Sequence, residues 1–207
     1  MTDTIGAYDD FAVNFAEDSF NWTPFDLIED FSTLLKPESK ILDIGCGGGR
    51  DAKELRNKGF KVVGLDASKE LVIYAQNRFP DIKFVVGNML KLPLPSDCFD
   101  GVWCHIVILH LETIKDVNSS LKEMYRVLKL GGVVHLYTKG YVSGPETVVN
   151  AFFDKSRFFR YFKLDKLTDL LKKNKFQIIK AEQTEESIIR PNGRQGVFWI
   201  RILAKKY

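Results

Sequence analysis

Along residues 38–138, short apolar runs alternate with stretches whose apolar residues recur every three or four positions. The first pattern suits strands and the second amphipathic helices, so the alternation predicts a mostly parallel sheet covered on both faces. Lys40–Asp43 reads as a first strand, followed by a glycine loop and a helix from about Arg50 that stops at Gly59. Lys61–Leu65 is a second strand, ending at Asp66. Ser68 can cap a second helix to Arg78, in which Leu71, Val72, Tyr74 and Ala75 form the apolar side. Ile82–Val86 is strand three, and the unbroken run Asp100–Ile108 suits a fourth strand buried on both faces near the sheet centre. Val117, Leu121, Met124 and Leu128 recur at helical spacing, and Gly131-Gly132 is expected to break that helix before strand five, Val133–Thr138.

After Thr138 the rhythm changes. An irregular, aromatic and basic stretch, Lys139–Phe162, precedes a helix around Asp165–Lys173 and two β-type runs, Phe176–Lys180 and Val197–Ala204, joined by a loop containing Arg190-Pro-Asn-Gly-Arg194. The first 37 residues carry Tyr8, Phe11, Phe15, Phe20, Trp22 and Phe25, too many aromatics for a disordered tail, so they are expected to fold over something. A length of 207 residues fits one decorated domain: a cap (1–37), a core (38–138) and a final part (139–207).

Composition narrows the class. Hydrophobic residues at 45% and charged residues at 28% exclude global disorder. No window approaches 18 apolar residues and the start is acidic, so neither a membrane span nor a secretory signal is expected, and the expected address is cytoplasmic. Cys46, Cys98 and Cys104 form no CxxC or zinc spacing and are read as reduced thiols, with no metal site expected. The charge is uneven: residues 1–138 hold 15 Lys and Arg against 20 Asp and Glu, residues 139–207 hold 15 against 7. The last third is therefore the basic part.

The loop Asp43-Ile-Gly-Cys-Gly-Gly-Gly-Arg50 sits at the carboxyl end of strand one, where open α/β sheets bind ligands. A nicotinamide fingerprint would need glycine at position 50, and the P-loop Lys-Ser pair is absent. Asp43 would repel a pyrophosphate but can orient an amine or a sulfonium. Asp66, at the end of strand two, stands where a carboxylate accepts both hydroxyls of a ribose. An adenosine ligand without phosphates satisfies both.

In these residues the chain resembles the class I S-adenosylmethionine-dependent methyltransferases, of the small-molecule type. ILDIGCGGGRD is similar to that family's first motif, VVGLDAS to its second and FVVGNML to its third. FDGVWCHIVILHL is similar to its fourth, and LKEMYRVLKLGGVVHL to the segment entering strand five. The resemblance implies a Rossmann-like, three-layer fold with a mainly parallel seven-stranded sheet whose last strand is antiparallel, and S-adenosyl-L-methionine as cofactor, released as S-adenosylhomocysteine.

Residue by residue, the resemblance implies that the Gly45, Cys46 and Gly47 backbone surrounds the methionine moiety, with Asp43 shaping the loop. It places Asp66 on the ribose and Ala67 beside the adenine. Asn88 stands where the family usually has an aspartate and can still accept the adenine amino group, and Met89 offers its amide to the ring. Cys104 and His105 would face the methionine amino group and the sulfonium. Two readings stay open for Arg50, the cofactor carboxylate or Asp51 and solvent, and two for His105, a base or a hydrogen-bonded strand-end histidine. His110 could approach the acceptor, with packing beneath the loop as the preferred reading, and His135 is expected to be structural.

Tyr8 and Phe15 are candidate lid contacts to the acceptor, with a plain packing stripe as the alternative. Arg157, Arg160 and Tyr161, in a run of interleaved cations and aromatics, are candidates for acceptor recognition and would favour an anionic or aromatic molecule. Lys172, Lys173 and Lys175 read as a solvated helix end. No Asn-Pro-Pro-Tyr, Asp-Pro-Pro-Tyr or Pro-Cys dipeptide of base-modifying enzymes is present, which favours a small-molecule acceptor over nucleic acid. The basic last third keeps an RNA acceptor as one alternative, and a non-catalytic S-adenosylmethionine-binding regulator is another. The chain is expected to act without a membrane, as a monomer or a homodimer.

Overall fold

The computed structural model describes residues 3–141, 146–152, 155–185 and 197–207. The Arg190–Arg194 loop lies outside the described residues. Strands β1 (Lys40–Ile44), β2 (Lys61–Asp66), β3 (Lys83–Val86), β4 (Phe99–His105), β5 (Leu128–Tyr141), β8 (Phe176–Glu185) and β9 (Val197–Lys206) form one seven-stranded sheet, in the order β3-β2-β1-β4-β5-β9-β8. The first five pair in parallel, and β9 runs antiparallel to both its neighbours.

Alternation along the strands feeds two cores. Ile41, Val62 and Trp103 face helices α3 (Phe25–Ser32), α4 (Arg50–Asn57) and α5 (Lys69–Arg78), with Phe31, Leu55 and Val72 buried against them. Leu42, Ile44 and Val102 face α6 (Ile114–Val127) and α7 (Leu164–Lys173) through Val117, Leu121, Met124 and Leu167. Each such side chain, fully buried, contributes about 1.5–3 kcal/mol. Ser68 caps its helix as expected, accepting from the Leu71 amide at 3.2 Å, and Thr113 caps α6, accepting from the Asp116 amide at 3.0 Å.

Three local expectations change. Strand four does not run on to Ile108, because Ile106 takes a left-handed φ of 57° while its amide bonds the Tyr137 carbonyl at 2.8 Å. The chain there turns into a short 3₁₀ helix, Ile108–His110. Helix α6 ends at Val127, and Leu128 is already extended, so Gly131 and Gly132 lie within β5 rather than in a helix break. The stretch from Lys139 to Phe162, read as irregular, contains an antiparallel hairpin, β6 (Thr147–Phe152) with β7 (Lys155–Arg160).

The N-terminal segment folds as α1 (Thr4–Asp10) and α2 (Ala12–Ser19) against α5, through Ala12, Ala16 and Leu71. Asp9 adds a polar tie: one carboxylate oxygen accepts from Ser68 Oγ at 2.6 Å and from the Glu70 amide at 3.1 Å. Asp10 pairs with Lys155 and Thr4 Oγ1 accepts from the Phe158 amide at 3.1 Å, so the hairpin clasps α1 from the other side.

Aromatic rings pile up across the central strands. Trp103 stacks on His135 (3.8 Å between centroids, 9° apart), and His105 on Tyr137 (4.9 Å, 9°), which stacks in turn on Trp199 (5.0 Å, 5°). His135 is fully buried and neither ring nitrogen has a hydrogen-bond partner among the described residues. Burial accordingly holds its pKa well below the usual histidine value, and burial takes His105 and His110 down to about 4.

Below about pH 6.5 the unfolded chain takes up protons that these folded histidines refuse, so stability present above that pH is lost as the pH falls towards 4, by about 1.4 kcal/mol per pH unit for each histidine. Asp43 and Asp66, raised by burial, act in the opposite sense, which makes a difference measurement necessary. Denaturant unfolding of His135→Phe against the parent between pH 7.5 and 5.5 is expected to show a shallower loss, by about half a proton on average over that range and approaching one at its acid end. Parallel curves would show that His135 is not the buried neutral group described.

Candidate functional site

The turn after β1 is built from backbone. The Gly45 and Cys46 amides both donate to the Leu65 carbonyl, at 2.7 and 3.1 Å, folding the loop over the end of β2. Gly45 has a φ of 71°, and a Cβ there would stand 2.4 Å from Val107 Cγ2, so both the conformation and the close approach require glycine. Gly48 meets the lid: a Cβ on it would lie 2.5 Å from that of Ala16 in α2.

Asp66 ties this turn to the next. One of its carboxylate oxygens accepts from the Gly47 amide at 2.8 Å and the other from the Ser68 amide at 2.9 Å. Burial nevertheless raises its pKa, against the lowering effect of these amides. Each oxygen retains a further lone pair for a ligand hydroxyl.

Arg50 makes a two-pronged bond to Asp51, Nε to Oδ1 at 2.6 Å and Nη2 to Oδ2 at 3.0 Å, and its Nη1 donates to the Ser19 carbonyl at 3.3 Å. Of the two readings of this arginine, the structure shows the Asp51 pairing. Asp51 also accepts from Trp103 Nε1 at 2.9 Å. Burial alone would raise the Asp51 pKa, but the Arg50 charge, the nearby His105 and these hydrogen bonds outweigh it, and the net direction is down. Asp43, at the end of β1, is left differently. Its Oδ2 is buried with no hydrogen-bond partner among the described residues, and burial together with the Asp51 charge pushes its pKa well up.

These groups open on a cavity of about 490 Å³, roofed by α1, α2 and β7. The structure brings to its wall Asp43, Gly45, Cys46, Gly47, Arg50, Asp66, Ala67, Asn88, Met89 and His105, and from the lid and hairpin Tyr8, Phe15 and Arg157. Cys46 contributes through its backbone, since its sulfur packs towards Gly64 within the core. Asn88 has its Oδ1 engaged by the Leu90 amide at 2.8 Å. Burial raises the thiol pKa of Cys46 and of Cys104, so both are neutral thiols.

Three expected residues are not at the cavity wall among the described residues. Cys104 is wholly buried in the core beneath β4, because successive strand residues point to opposite faces. Arg160 and Arg157 lie three apart on β7 and so face opposite ways. Arg157 and Phe159 look into the cavity, whereas Arg160 is held by the Leu111 carbonyl at 3.3 Å, the Glu112 carbonyl and Glu146. Tyr161 is buried at the foot of the hairpin, its amide on the Glu146 carbonyl at 2.7 Å.

Conversely, His110 does not pack beneath the loop. It lines the cavity, with Nε2 3.0 Å from Tyr8 Oη and Nδ1 2.9 Å from the Phe158 carbonyl. Lys139, Trp199 and Trp22 also reach the wall. The continuation of β5 past Thr138 places Lys139 there, opposite Trp199 in register.

Residues 42–136 match the family model described as a methyltransferase domain. The chain is 36% identical over 110 residues to a sterol 24-C-methyltransferase of Gibberella zeae, which covers 50% of this chain and 28% of that protein. It spans between about a quarter and about half of the length of the first curated relatives it matches. A methyltransferase structure from Methanosarcina mazei superposes with a TM-score of 0.76 at 23% identity, covering 85% of this chain and 96% of that one. So does the Burkholderia thailandensis 1,6-didemethyltoxoflavin-N1-methyltransferase, with its ligand and S-adenosylhomocysteine bound, at a TM-score of 0.69 and 21% identity, covering 98% and 87%. The matched domain, the methyltransferase relatives and the superposed fold agree with the glycine turn and its two acidic strand ends: the chain belongs to the class I S-adenosylmethionine-dependent methyltransferase family.

Proposed function

We propose that this protein transfers a methyl group from S-adenosylmethionine to a small-molecule acceptor. The observation that carries this reading is the unpartnered buried oxygen of Asp43 beside a turn made of backbone. A buried carboxylate oxygen without a partner is costly, and a ligand that brings an ammonium or sulfonium charge removes the cost, whereas a pyrophosphate would add to it. The residues present therefore fit the family's cofactor.

When bound, S-adenosylmethionine supplies an electrophilic methyl group on a positively charged sulfur. The chain's part is to bind, orient and exclude water. Backbone at Gly45, Cys46 and Gly47, with Asp43, would hold the amino-acid end, Asp66 the ribose, and Ala67, Asn88 and Met89 the adenine. His105 stands at the end of β4 with its Nδ1 unpartnered among the described residues; a pKa near 4 keeps it neutral at pH 7, a hydrogen-bonding wall group rather than a charged one. Phe15 stands 3.5 Å from where a Gly47 Cβ would lie, closing the turn against solvent.

A small acceptor suits this enclosure. The lid side of the cavity offers Tyr8, Phe15, Trp22, Phe159 and Trp199, with Arg157 and Lys139 as its cations. Planar or apolar molecules that carry a polar group match such a wall. The basic last third supports RNA less well, since Lys172 and Lys173 lie in the last turn of α7, where they complement its carbonyl end.

Calorimetry is expected to show micromolar or tighter binding of S-adenosylmethionine or S-adenosylhomocysteine and none of NAD. NAD binding alone would overturn the assignment. Asp66→Ala removes a ribose acceptor and also frees the Gly47 and Ser68 amides. Affinity is therefore expected to fall on the order of tenfold or more, and stability by about 1 kcal/mol or more. An unchanged dissociation constant in the folded variant would remove Asp66 from the cofactor site.

A further inference from the structure

His105 stands at the seam between the two halves of the cavity. Ile44 and Cys104 are register partners, so Gly45 and His105 leave the sheet side by side, with the glycine turn on one flank of the imidazole. On its other flank His105 is the register partner of Tyr137, two residues before Lys139, which with its own partner Trp199 belongs to the acceptor side of the wall. The plane of the ring is set by stacking on Tyr137 (4.9 Å, 9°) and on Trp103 (5.5 Å, 6°).

The two ring nitrogens are placed unequally. Nδ1 is sealed and has no hydrogen-bond partner among the described residues, whereas Nε2 is not sealed and lies on the edge that the ring shows to the cavity. Asp51, although near, bonds Arg50 and Trp103 Nε1 rather than His105. Burial takes the His105 pKa down to about 4 against the pull of the Asp51 charge, so the ring carries a single hydrogen at pH 7. A sealed N–H without an acceptor is the rarer and costlier arrangement than a sealed lone pair, which puts that hydrogen on Nε2. His105 therefore shows the cavity a fixed donor, and the lone pair that a base needs is shut away on Nδ1. His110 offers no base on the lid side either: its nitrogens face Tyr8 Oη and the Phe158 carbonyl, and Tyr8 Oη also accepts from Arg157 Nη1 at 2.8 Å.

We propose that His105 is a specificity-determining contact to the methyl acceptor, its Nε2–H selecting a molecule that attacks as an oxygen anion, such as a carboxylate or an acidic phenol or enol. The proposal rests on the methyl-transfer reading above and narrows its substrate class. The cofactor groups that Asp43 draws to the neighbouring turn, an ammonium and a sulfonium, do not accept a hydrogen bond, so the N–H is left for the acceptor. An oxygen anion has lone pairs both for that donor and for the attack. In the step itself one oxygen lone pair forms the O–CH₃ bond as the S–CH₃ bond breaks, the electron pair of the broken bond passing to sulfur; no proton moves and no base is used. An amine has a single lone pair, which the attack requires, and would set its own hydrogens against the N–H. That mismatch leaves polar atoms unpaired in an enclosed site, which is the strong form of discrimination.

Benzoate and aniline place the two chemistries on the same ring and are the probes, each titrated into the protein saturated with S-adenosylhomocysteine and into the protein alone. The parent is expected to bind benzoate the more tightly. His105→Phe keeps a ring for Tyr137 and removes the N–H; it is expected to lose about tenfold or more in benzoate affinity while aniline stays within about twofold. A general disturbance of the wall would weaken both probes alike, and the cations of the wall are the same in parent and variant, so the change in the ratio reports the one N–H. Nitrogen-15 spectra of the parent at pH 7 are expected to show His105 with hydrogen on Nε2 and a bare Nδ1, and benzoate is expected to move the Nε2 hydrogen downfield. These spectra decide the matter without the variant should His105→Phe fail to fold.

A hydrogen on Nδ1, absence of benzoate binding, an Nε2 signal that benzoate does not move, or an unchanged ratio in folded His105→Phe each overturns the proposal. So does a shift produced in full by S-adenosylhomocysteine, which would give the N–H to the cofactor carboxylate. If S-adenosylhomocysteine fails to bind while benzoate alone produces the expected ratio and shift, the cofactor reading falls and the His105 assignment stands.

Discussion

Three carboxylates, Asp43 and Asp51 buried and Asp66 half-buried, crowd one glycine turn, and the arginine beside them is committed to a single one. Arg50 grips Asp51, Asp66 is satisfied by two backbone amides, and Asp43 keeps an oxygen with no partner among the described residues. Leaving charge this poorly compensated is expensive in a folded core. The first two carboxylates return structure for that cost, since Asp51 fastens Trp103 and the lid's Ser19 through Arg50, and Asp66 fixes the spacing of the β1 and β2 turns. The third does not, and it is the one that a positively charged ligand would complete.

That logic was visible in the amino-acid sequence because it is local. Asp43 and Asp66 each follow a short apolar run, glycines follow the first, and the strand period places both acids at the carboxyl edge of the sheet. Parallel strands with single crossovers bring successive strand ends together, so the cofactor half of the cavity could be read from order alone. Cys104 marks the boundary of this reading: the strand was identified, but a parity of one residue decides whether a side chain faces the cavity or the core, and His105, not Cys104, has the outward parity.

The acceptor half was less legible because it is assembled from long-range contacts. Tyr8 and Arg157 are separated by 149 positions and Tyr8 and His110 by 102, and no spacing in the chain announces either meeting. The hairpin of β6 and β7 was hidden by its mixture of cations and aromatics, which carries neither a clean helical nor a clean alternating signal. Once it is a strand, the fate of its two arginines follows: one faces the cavity and the other ties the turn after β4 to Glu146.

The ring pile has a consequence for how the sheet finds its alignment. Trp103 and His135 are direct register partners between β4 and β5, as are His105 and Tyr137 two residues on. Sliding β5 by one residue would turn both its rings to the opposite face and leave Trp103 and His105 without their stacking partners. The flat contacts thus act as an alignment mark between neighbouring strands, readable only when the chain is correctly threaded. Because His105 and Trp199 belong to both the pile and the cavity wall, correct threading of the sheet and completion of the wall are one event.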